Sequence, residues 1–284
     1  MLQNRRGYSP YVNCRSCGYT FKCPHCELSM SYHKNGNKFK CHYCNYEIKF
    51  DHTCPKCDGH DFLFMGSGTQ KIEEVIQNNY PEAKLLRMDN DTTNVKNGHL
   101  KILEKFSNED YNILLGTQMV AKGLDFHDVT LVGVINADIS LSAADFRSNE
   151  FTFELLSQVA GRAGRGSKKG NVIIQTFNPS HYAIDFAKNH DYLSFFKEEM
   201  KVRKTLGYPP YYYLILVRIS TRDYEVSFEE ARKIRDYLRD NLSGDTIVLG
   251  PSMASVFRVD NVYYQQCIIK YKKDDKLRKV LMDI

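Results

Sequence analysis

The sequence predicts an α/β protein that combines an open parallel sheet, a cysteine-rich module and a smaller α+β domain. Strands and helices alternate over residues 62–177, and four CxxC pairs precede them between residues 14 and 57. A break at residues 206–210, with one glycine and two prolines, is followed by a different order of strands and helices. Strand–helix alternation is typical of parallel sheets covered by helices, so these observations predict two domains and one insertion.

Composition places the chain among ordinary globular proteins. With 284 residues, 42% of them hydrophobic and 26% charged, it has material for about two domains. No apolar run approaches the roughly 18 residues of a membrane span, and there is no N-terminal secretion signal, so we expect a cytoplasmic protein without membrane contact. Two zinc ions on eight thiolates would lower the formal charge from +5 to about +1, so overall charge gives no argument for nucleic-acid binding.

The four CxxC pairs predict two zinc sites. A disulfide framework is the competing interpretation, but a cytoplasmic chain is kept reduced, and repeated CxxC spacing is typical of tetrahedral thiolate sites. Fourteen residues separate Cys26 from Cys41, as in a zinc ribbon, whereas only five separate Cys17 from Cys23. The sites should therefore be nested, with an outer site that joins the two ends of the module. The inner site is assigned to Cys23, Cys26, Cys41 and Cys44, and the outer site to Cys14, Cys17, Cys54 and Cys57.

Other metal-binding side chains in this region are predicted to be supporting groups. Eight thiolates already fill two tetrahedra, so we expect the neighbouring histidines to lie on the surface or behind the ligands. They are His25, His33, His42, His52 and His60. The ninth cysteine, Cys267, lies in an apolar run and is predicted to be a buried structural thiol.

The alternating region predicts a ligand edge. Predicted strands cover residues 62–65, 83–88, 112–115, 129–135 and 172–177, and helices cover 70–79 and 100–106. Ligands bind at the carboxyl ends of strands in such sheets. Residues 116–125 and 136–138 follow the third and fourth strands, and residues 158–165 lie between the fourth and the fifth. We expect all three segments to face one edge, although Asp125 and Asp138 could equally be turn or cap residues.

The segment of residues 158–165 predicts a cluster of polar side chains. At about 100° per residue, Gln158, Arg162 and Arg165 would fall on one face of a helix. Gly161 and Gly164 each cost a helix on the order of 1 kcal/mol relative to alanine, which favours close approach to a ligand or a neighbouring lobe. The alternative is a surface helix with two solvated arginines.

The C-terminal region predicts an α+β sandwich of the ferredoxin-like kind. Its predicted elements are a strand at 211–220, a helix at 227–242, a strand at 246–249, a hairpin of 255–259 with 263–271, and a helix at 274–282. Tyrosines alternate with arginines and lysines in these strands. They could form a nucleic-acid surface, or they could be divided between core and surface.

Two sets of residues resemble known helicase motifs. Gly116-Thr117-Gln118 with residues 122–125, together with residues 158–165, resembles motifs V and VI of superfamily 2 helicases. With the four CxxC pairs, the chain resembles the PriA family of primosomal replication-restart helicases over essentially its whole length. The resemblance implies a RecA-like helicase lobe 2 that begins in residues 1–12. It also implies a zinc module at 13–60, the rest of the lobe at 61–190 and a C-terminal α+β domain at 191–284.

The resemblance also implies roles for individual residues. Arg162 and Arg165 would contact the phosphates of ATP, with Arg165 as the arginine finger, and Gln158 would position the nucleotide or the attacking water. Nucleotide state would be coupled to lobe closure by Gly123, Asp125 and Asp138. The DNA backbone would be met by Thr117, Gln118 and Lys122.

The function implied is that of an ATP-dependent 3′–5′ DNA helicase that recognises forked DNA and restarts stalled replication. Its cofactors would be two zinc ions per chain, with ATP and Mg²⁺ in the intact enzyme. Its partners would be forked and single-stranded DNA, single-strand-binding protein and helicase loaders, and we expect a monomer. No glycine precedes a lysine and no Asp-Glu pair occurs, so Walker A and DExH motifs are absent and the chain should be inactive alone. The alternatives are a non-catalytic, zinc-stapled fork-DNA and protein-docking module, and a zinc-ribbon protein that binds RNA.

Overall fold

A computed structural model describes most of the chain and divides it into two compact units. It describes residues 1–3, 11–26, 28–34, 36–41, 43–65, 68–93, 97–121, 126, 128–143, 145–164 and 169–284. The first unit comprises Met1–Phe21, Ser31–Lys40 and Ile48–Phe196, and the second comprises Lys22–Met30, Cys41–Glu47 and Lys197–Ile284. Helices and strands are both present, which confirms the predicted mixed α/β class.

The predicted strands and helices occur in the predicted order, except that the strands predicted at 246–249 and 255–259 form one strand. The strands are β1 (Tyr11–Cys14), β2 (Ser31–His33), β3 (Lys38–Lys40), β4 (Glu47–Lys49), β5 (Phe62–Met65), β6 (Leu85–Met88), β7 (Ile113–Gly116), β8 (Leu131–Val134), β9 (Asn171–Ile174), β10 (Tyr213–Thr221), β11 (Ile247–Val259) and β12 (Val262–Tyr271). The helices are α1 (Thr69–Asn79), α2 (Asn90–Thr93), α3 (Gly98–Asn108), α4 (Asp138–Leu141), α5 (Ser148–Ala160), α6 (Tyr182–Lys188), α7 (Tyr192–Leu206), α8 (Tyr224–Asn241) and α9 (Leu277–Met282), with a 3₁₀ helix at Gln118–Ala121. Strands β1–β4 and helices α2 and α4 were not predicted.

The first unit contains a parallel sheet whose centre is the N-terminal segment. Strand β6 pairs in parallel with β7, and β8 pairs in parallel with β9. Leu2 bridges the two pairs, because it pairs in parallel with both Gly116 and Val134. The N–H of Leu2 donates to the Gly133 carbonyl at 2.7 Å, and the N–H of Gln3 donates to the Gly116 carbonyl at 2.8 Å. The parallel sheet predicted from strand–helix alternation is confirmed for four of its five predicted strands. The prediction is wrong for the first, residues 62–65, because β5 pairs antiparallel with β1.

A hydrophobic core on this sheet fixes the helix that carries the polar segment. Leu2 is 2% exposed and packs with Val134 of β8 and with Leu156 and Val159 of α5. Burial of one such side chain stabilises the fold by about 1.5–3 kcal/mol. Because Leu156 and Val159 face the core, α5 is held against the sheet up to its last turn.

The cysteine-rich segment begins and ends in one antiparallel ladder. Strand β1 pairs with β5, with Tyr11 opposite Met65 and Cys14 opposite Phe62. A cluster of aromatic side chains forms the hydrophobic core of this segment and supports the ladder. The rings of Phe21 and Phe39 stack with centroids 4.1 Å apart, and Phe50 meets Phe39 edge-on at 5.1 Å.

The C-terminal part of the second unit is an antiparallel sheet with helices. Its strand order is β10-β12-β11, and α8 and α9 pack against it around Leu238, Ile269 and Leu277. The hairpin predicted across Asp260 and Asn261 is confirmed. The prediction that a strand stops at residues 250–251 is wrong. Strand β11 continues to Val259, and a register shift between Leu249 and Ser252 absorbs the irregular backbone.

Among the described residues, no helix has both the length and the apolar character needed to cross a bilayer.

Candidate metal centres and strand-edge site

The four CxxC pairs fold as the same type of tight loop. In each, the N–H of the first cysteine donates to the carbonyl five residues later, at 2.8–2.9 Å. These bonds run from Cys14 to Tyr19, from Cys23 to Leu28, from Cys41 to Tyr46 and from Cys54 to Gly59. In the three loops where the residue four positions after the first cysteine is described, it is left-handed, namely Gly18 (φ 71°), Asn45 (φ 62°) and Asp58 (φ 54°). Glycine, asparagine and aspartate tolerate that conformation best, so the local sequence favours the loop.

The loops bring eight thiols into two groups of four. One group holds Cys14, Cys17, Cys54 and Cys57, and the other holds Cys23, Cys26, Cys41 and Cys44, with the sulfur atoms of each group within 4.8 Å of one another. This is the nested arrangement that the loop lengths predict. Two pairs in the outer group lie 3.6 Å apart, and the Cys23 and Cys44 sulfurs lie 3.5 Å apart.

These distances fit zinc and not disulfides. A tetrahedron with zinc–sulfur bonds of about 2.3 Å has sulfur atoms about 3.8 Å apart, whereas a disulfide bond is about 2.0 Å long. All eight thiols are free. Four thiolates and no vacant position are the donor set of a structural zinc site. The two clusters therefore support two zinc ions per chain.

Three of the four inner thiols are buried, so a bound cation is required to stabilise their deprotonated form. Cys23, Cys26 and Cys41 are at most 1% exposed. Burial raises the pKa of the Cys26 thiol to about 12, and the neighbouring Cys44 and Cys41 thiols act in the same direction. A bound divalent cation would compensate the charge of the deprotonated thiols, and binding would release their protons.

The described histidines lie outside both thiol groups. Among the residues searched, each group consists of cysteines only, so His25, His33, His52 and His60 belong to neither. His60 instead has its Nδ1 atom 2.9 Å from the carbonyl of His52. His42 lies outside the described residues. The ninth cysteine, Cys267, is fully buried, as predicted.

The polar segment after β7 starts at a very close backbone approach. A Cβ atom on Gly116 would lie 2.3 Å from the Met88 carbonyl oxygen at the end of β6, so only glycine fits there. Thr117 is half-buried, and Gln118 is exposed on the 3₁₀ helix. Both therefore lie at the carboxyl edge of the sheet, where the alternation of strands and helices places them.

The prediction of one helical face for Gln158, Arg162 and Arg165 is wrong for Arg162, and Arg165 lies outside the described residues. Helix α5 ends at Ala160, and the chain continues through short-range turns in which Arg162 N–H donates to the Val159 carbonyl. The helix ends next to Gly161, which is a poor helix former, and Gly164 further along takes a left-handed φ of 73°. Gln158 remains on α5.

Arg162 instead reaches the segment that follows β7. Its Nη2 atom donates to the Ala121 carbonyl at 3.0 Å, and the Gly164 N–H donates to the Val129 carbonyl at 3.0 Å. Gln158 Nε2 donates to Glu154 Oε1 at 2.8 Å along the helix. The structure thus brings Arg162, but not the Gln158 amide, to the end of the 3₁₀ helix.

The Asp138 carboxylate holds the turn after β9, which favours the structural alternative. Its Oδ1 accepts from the Thr176 hydroxyl at 2.9 Å, and its Oδ2 accepts from the Phe177 N–H at 3.0 Å. Both carboxylate oxygens therefore fix the loop after β9. The other predicted coupling and contact residues, Lys122, Gly123, Asp125 and Arg165, lie outside the described residues and stay predictions.

Sequence reasoning missed a buried carboxylate at the same edge. Asp89 follows β6 and is fully buried. Its Oδ2 accepts from the Thr69 hydroxyl at 2.6 Å and lies 3.1 Å from Arg87 Nε, while its Oδ1 accepts from the Thr92 N–H at 3.1 Å. Arg87 also pairs with Glu73 at 2.7 Å. The available signal was the Asp-x-x-Thr spacing, which is typical of a cap.

Comparison with known proteins first defines the class of the molecule. Residues 48–167 match the helicase conserved C-terminal domain. Residues 23–49 match the PriA DNA helicase Cys-rich region (CRR) domain, and residues 204–283 match the primosomal protein N C-terminal domain. The parallel sheet and the thiol clusters are therefore those of a helicase C-terminal domain with a cysteine-rich zinc module.

Relatives along the whole chain then identify the family. The chain is 50% identical over 284 residues to the replication restart protein PriA of Bacillus subtilis, which covers 100% of the chain and 35% of that protein. The PriA proteins of Synechocystis sp. and Chlamydia pneumoniae are 44% and 38% identical, over 94% of the chain and 33% and 36% of their own lengths. The chain belongs to the PriA family of replication restart proteins. It spans about a third of the length of these curated relatives.

Proposed function

We propose that this chain supplies the second motor lobe and zinc module of an ATP-dependent 3′–5′ DNA helicase. The enzyme would recognise forked DNA and restart stalled replication by primosome assembly. One observation carries the proposal: the hydrogen bond from Arg162 to the Ala121 carbonyl, which joins the segment after α5 to the segment after β7. The relatives' name, replication restart protein, supports it as well. We also propose domain boundaries after residues 12, 60 and 190.

In the nucleotide site, the chain's guanidinium groups would neutralise phosphate charge. Arg162 and Arg165 would contact the phosphates of ATP, whose Mg²⁺ is supplied with the nucleotide. An arginine finger, here Arg165, contributes about 10³ to 10⁵ in rate. Gln158 would position the nucleotide or the attacking water. Its amide already pairs with Glu154, so it would have to exchange that partner for the ligand.

The segment after β7 would contact the DNA backbone and transmit closure. Thr117, Gln118 and Lys122 would donate to phosphates, a role supported by the position of the first two at the carboxyl edge of the sheet. Gly123 and Asp125 would couple nucleotide state to lobe movement. Asp138 is left out of that role because both of its oxygens hold the loop after β9.

The zinc ions would be structural. The outer ion would be held by Cys14, Cys17, Cys54 and Cys57, and the inner ion by Cys23, Cys26, Cys41 and Cys44. Each set of four thiolates leaves no position for a reacting water, so the chemistry supplied is cross-linking of the chain. Elemental analysis should give about two zinc ions per chain, and a value near one would exclude the nested pair.

An ATPase experiment tests the motor assignment. The chain alone should not hydrolyse ATP. Joined to a nucleotide-binding lobe, it should hydrolyse ATP with single-stranded DNA present, and Arg165→Ala should lower turnover at least about 10³-fold with little change in DNA affinity. Arg147→Ala is the matched control, because Arg147 pairs with Asp145 at the start of α5. Turnover that survives Arg165→Ala removes the finger role. No turnover in any form favours the alternative, a non-catalytic zinc-stapled fork-DNA and docking module.

A binding experiment tests the DNA contact. Gln118→Ala should weaken binding to forked DNA about fivefold, the effect of one lost hydrogen bond. Gln77→Ala, on the exposed side of α1, should leave the affinity unchanged. Equal affinities for all three proteins would remove Gln118 from the interface, and a preference for duplex RNA would favour the RNA-binding alternative.

Single-strand-binding protein and helicase loaders as partners, a monomeric state and a cytoplasmic location belong to the same proposal.

A further inference from the structure

The turn between β11 and β12 lies against a cysteine loop far away in sequence. The Asp260 N–H donates to Cys26 Sγ with the nitrogen 3.4 Å from the sulfur. The Asn261 N–H donates to the His25 carbonyl at 2.9 Å, and Asn261 Nδ2 lies 3.2 Å from His25 Nδ1. The turn and this cysteine loop belong to the same compact unit. Three polar contacts therefore fix a hairpin turn on one ligand loop of the inner thiol group.

The turn has the conformation that these contacts require. Asp260 and Asn261 have φ values of 49° and 61°, and Val259 pairs directly with Val262. A two-residue loop with two positive φ angles is a type I′ turn, which asparagine and aspartate favour. Arg258 Nη2 donates to Asn261 Oδ1 at 2.7 Å, which turns the Asn261 NH₂ group towards the His25 ring.

The contact also reaches the second ligand loop of the inner group. The His25 ring meets the Tyr46 ring edge-on, with centroids 5.0 Å apart, and Tyr46 closes the loop of Cys41 and Cys44. His25 therefore contacts both the turn and the loop of Cys41 and Cys44, so the position of the turn is coupled to both ligand loops of the inner group. Since His25 is not one of the thiol ligands, its role is to position them.

Cys26 obtains its amide donor differently from Cys14, Cys23, Cys41 and Cys57. The amides that reach the Cys14, Cys23, Cys41 and Cys57 thiols belong to residues two or three positions further along the chain. The amide that reaches Cys26 belongs to Asp260. Four thiolates around Zn²⁺ carry a net charge of about −2, so an N–H donor stabilises the occupied site, and outer partners of this kind orient the ligands.

We propose that the turn at Asp260 and Asn261 is a remote positioning element of the inner zinc site. Occupancy of that site and the seating of the hairpin then stabilise each other, because such linkage is reciprocal. The inference rests on the proposed zinc sites. It adds that residues more than two hundred positions away control how firmly one of the two ions is held.

Two turn variants of the full chain separate this role from general stability. D260N/N261G keeps the type I′ turn, because Asn-Gly is its preferred sequence. D260G/N261S places glycine first and so selects a type II′ turn, which reverses the central peptide and points the residue-261 N–H away from the His25 carbonyl. Both variants lack the Asn261 side chain. A difference between them therefore cannot come from loss of the Asn261 amide and reports mainly the direction of the residue-261 N–H.

The measurement is zinc release into a chromogenic chelator, with alkylation of freed thiols followed by peptide mapping. In the type II′ variant, the inner cysteines should lose zinc about tenfold faster than in the type I′ variant, the usual effect of losing an outer partner. Release from Cys14, Cys17, Cys54 and Cys57 should be unchanged, and hydrogen exchange in α8 should confirm the fold. Equal inner-site release in the two variants, or equal acceleration at both sites, would overturn the proposal.

A prior zinc determination keeps the two proposals distinct. Fewer than two zinc ions per chain before chelation would refute the zinc sites themselves. Two ions with release rates that do not depend on turn type would leave the zinc sites intact and refute only the role of the turn.

Discussion

Replacement of Asp89 by asparagine should selectively loosen the edge of the parallel sheet. The change keeps the size of the side chain and removes its charge. Asp89 is fully buried at the end of β6, next to the close approach of Gly116 to the Met88 carbonyl. Loss of its contacts should therefore lower the local stability of β6 and β7 first, and that of the second unit much less.

The expected cost can be estimated from the contacts. Hydrogen bonds to a charged group contribute about 1.5–3 kcal/mol, and neutral ones about half as much. An asparagine amide offers one oxygen and one NH₂ group, so the NH₂ opposes either the Thr92 N–H or the Arg87 guanidinium, and the ion pair with Arg87 is lost in both orientations. Arg87 keeps Glu73 as a partner, so no unpaired guanidinium remains. We expect a loss of about 2–4 kcal/mol, around the lower end of the 3–5 kcal/mol for breaking a buried ion pair.

Hydrogen exchange followed by mass spectrometry is the appropriate assay, because the chain has two units and need not unfold in one step. Exchange in peptides covering β6 and β7 should accelerate about 30- to 1000-fold, since a factor of ten corresponds to about 1.4 kcal/mol. Asp110→Asn is the matched control. Asp110 pairs with Lys84 in the same unit, but its side chain is 91% exposed, so exchange should change less than about twofold. Equal effects of the two substitutions would refute the argument that buried donors set the cost.

Three further outcomes are expected. Gly116→Ala should accelerate exchange in β6 and β7 by an amount equivalent to about 1–3 kcal/mol, because its Cβ would lie 2.3 Å from a carbonyl oxygen, whereas Gly133→Ala meets no atom closer than 3.8 Å and should be neutral. Burial acts to raise the pKa of Asp274, but hydrogen bonds from Thr246 and the backbone outweigh it and hold the pKa below its usual range. Asp274→Asn should therefore lower the urea midpoint of the second unit at pH 7, and the difference from wild type should shrink as the pH falls through that lowered pKa. Chelation of both zinc ions should accelerate exchange throughout the cysteine-rich segment before it affects α8.

Features that follow from local geometry were predictable from the sequence. The nested thiol groups follow from loop length, because five residues between Cys17 and Cys23 are too few for the loop of a zinc ribbon. The hairpin at Asp260 follows from turn chemistry, since both turn residues accept positive φ. The hairpin depends on neighbouring residues, and the thiol grouping depends on loop lengths that can be counted in the sequence.

Features set by distant contacts were not predictable in this way. The helical periodicity that includes Arg162 continues past Ala160 in sequence, but the helix ends there, and Gly164 pairs with Val129 instead. The buried network of Asp89 and the contact between Asp260 and Cys26 join segments far apart in the chain, so periodicity gives no sign of them. Helix propensity predicts that a helix forms, but tertiary hydrogen bonds determine the residue at which it ends.

The end of α5 at Ala160 bears directly on how Arg162 could act. On a continuing helix, the backbone of α5 would fix the position of Arg162. Its guanidinium could then not approach a ligand without movement of the core residues of α5. Placed after the helix, it is held by its bond to a neutral carbonyl at Ala121. Both bonds have an ionised donor, but a phosphate is itself negatively charged and can accept two parallel N–H bonds from one guanidinium, so exchange of the carbonyl for a phosphate would be favourable. That exchange would release the segment after β7. The two glycines around Arg162 would favour it, because they disfavour a continued helix at this position.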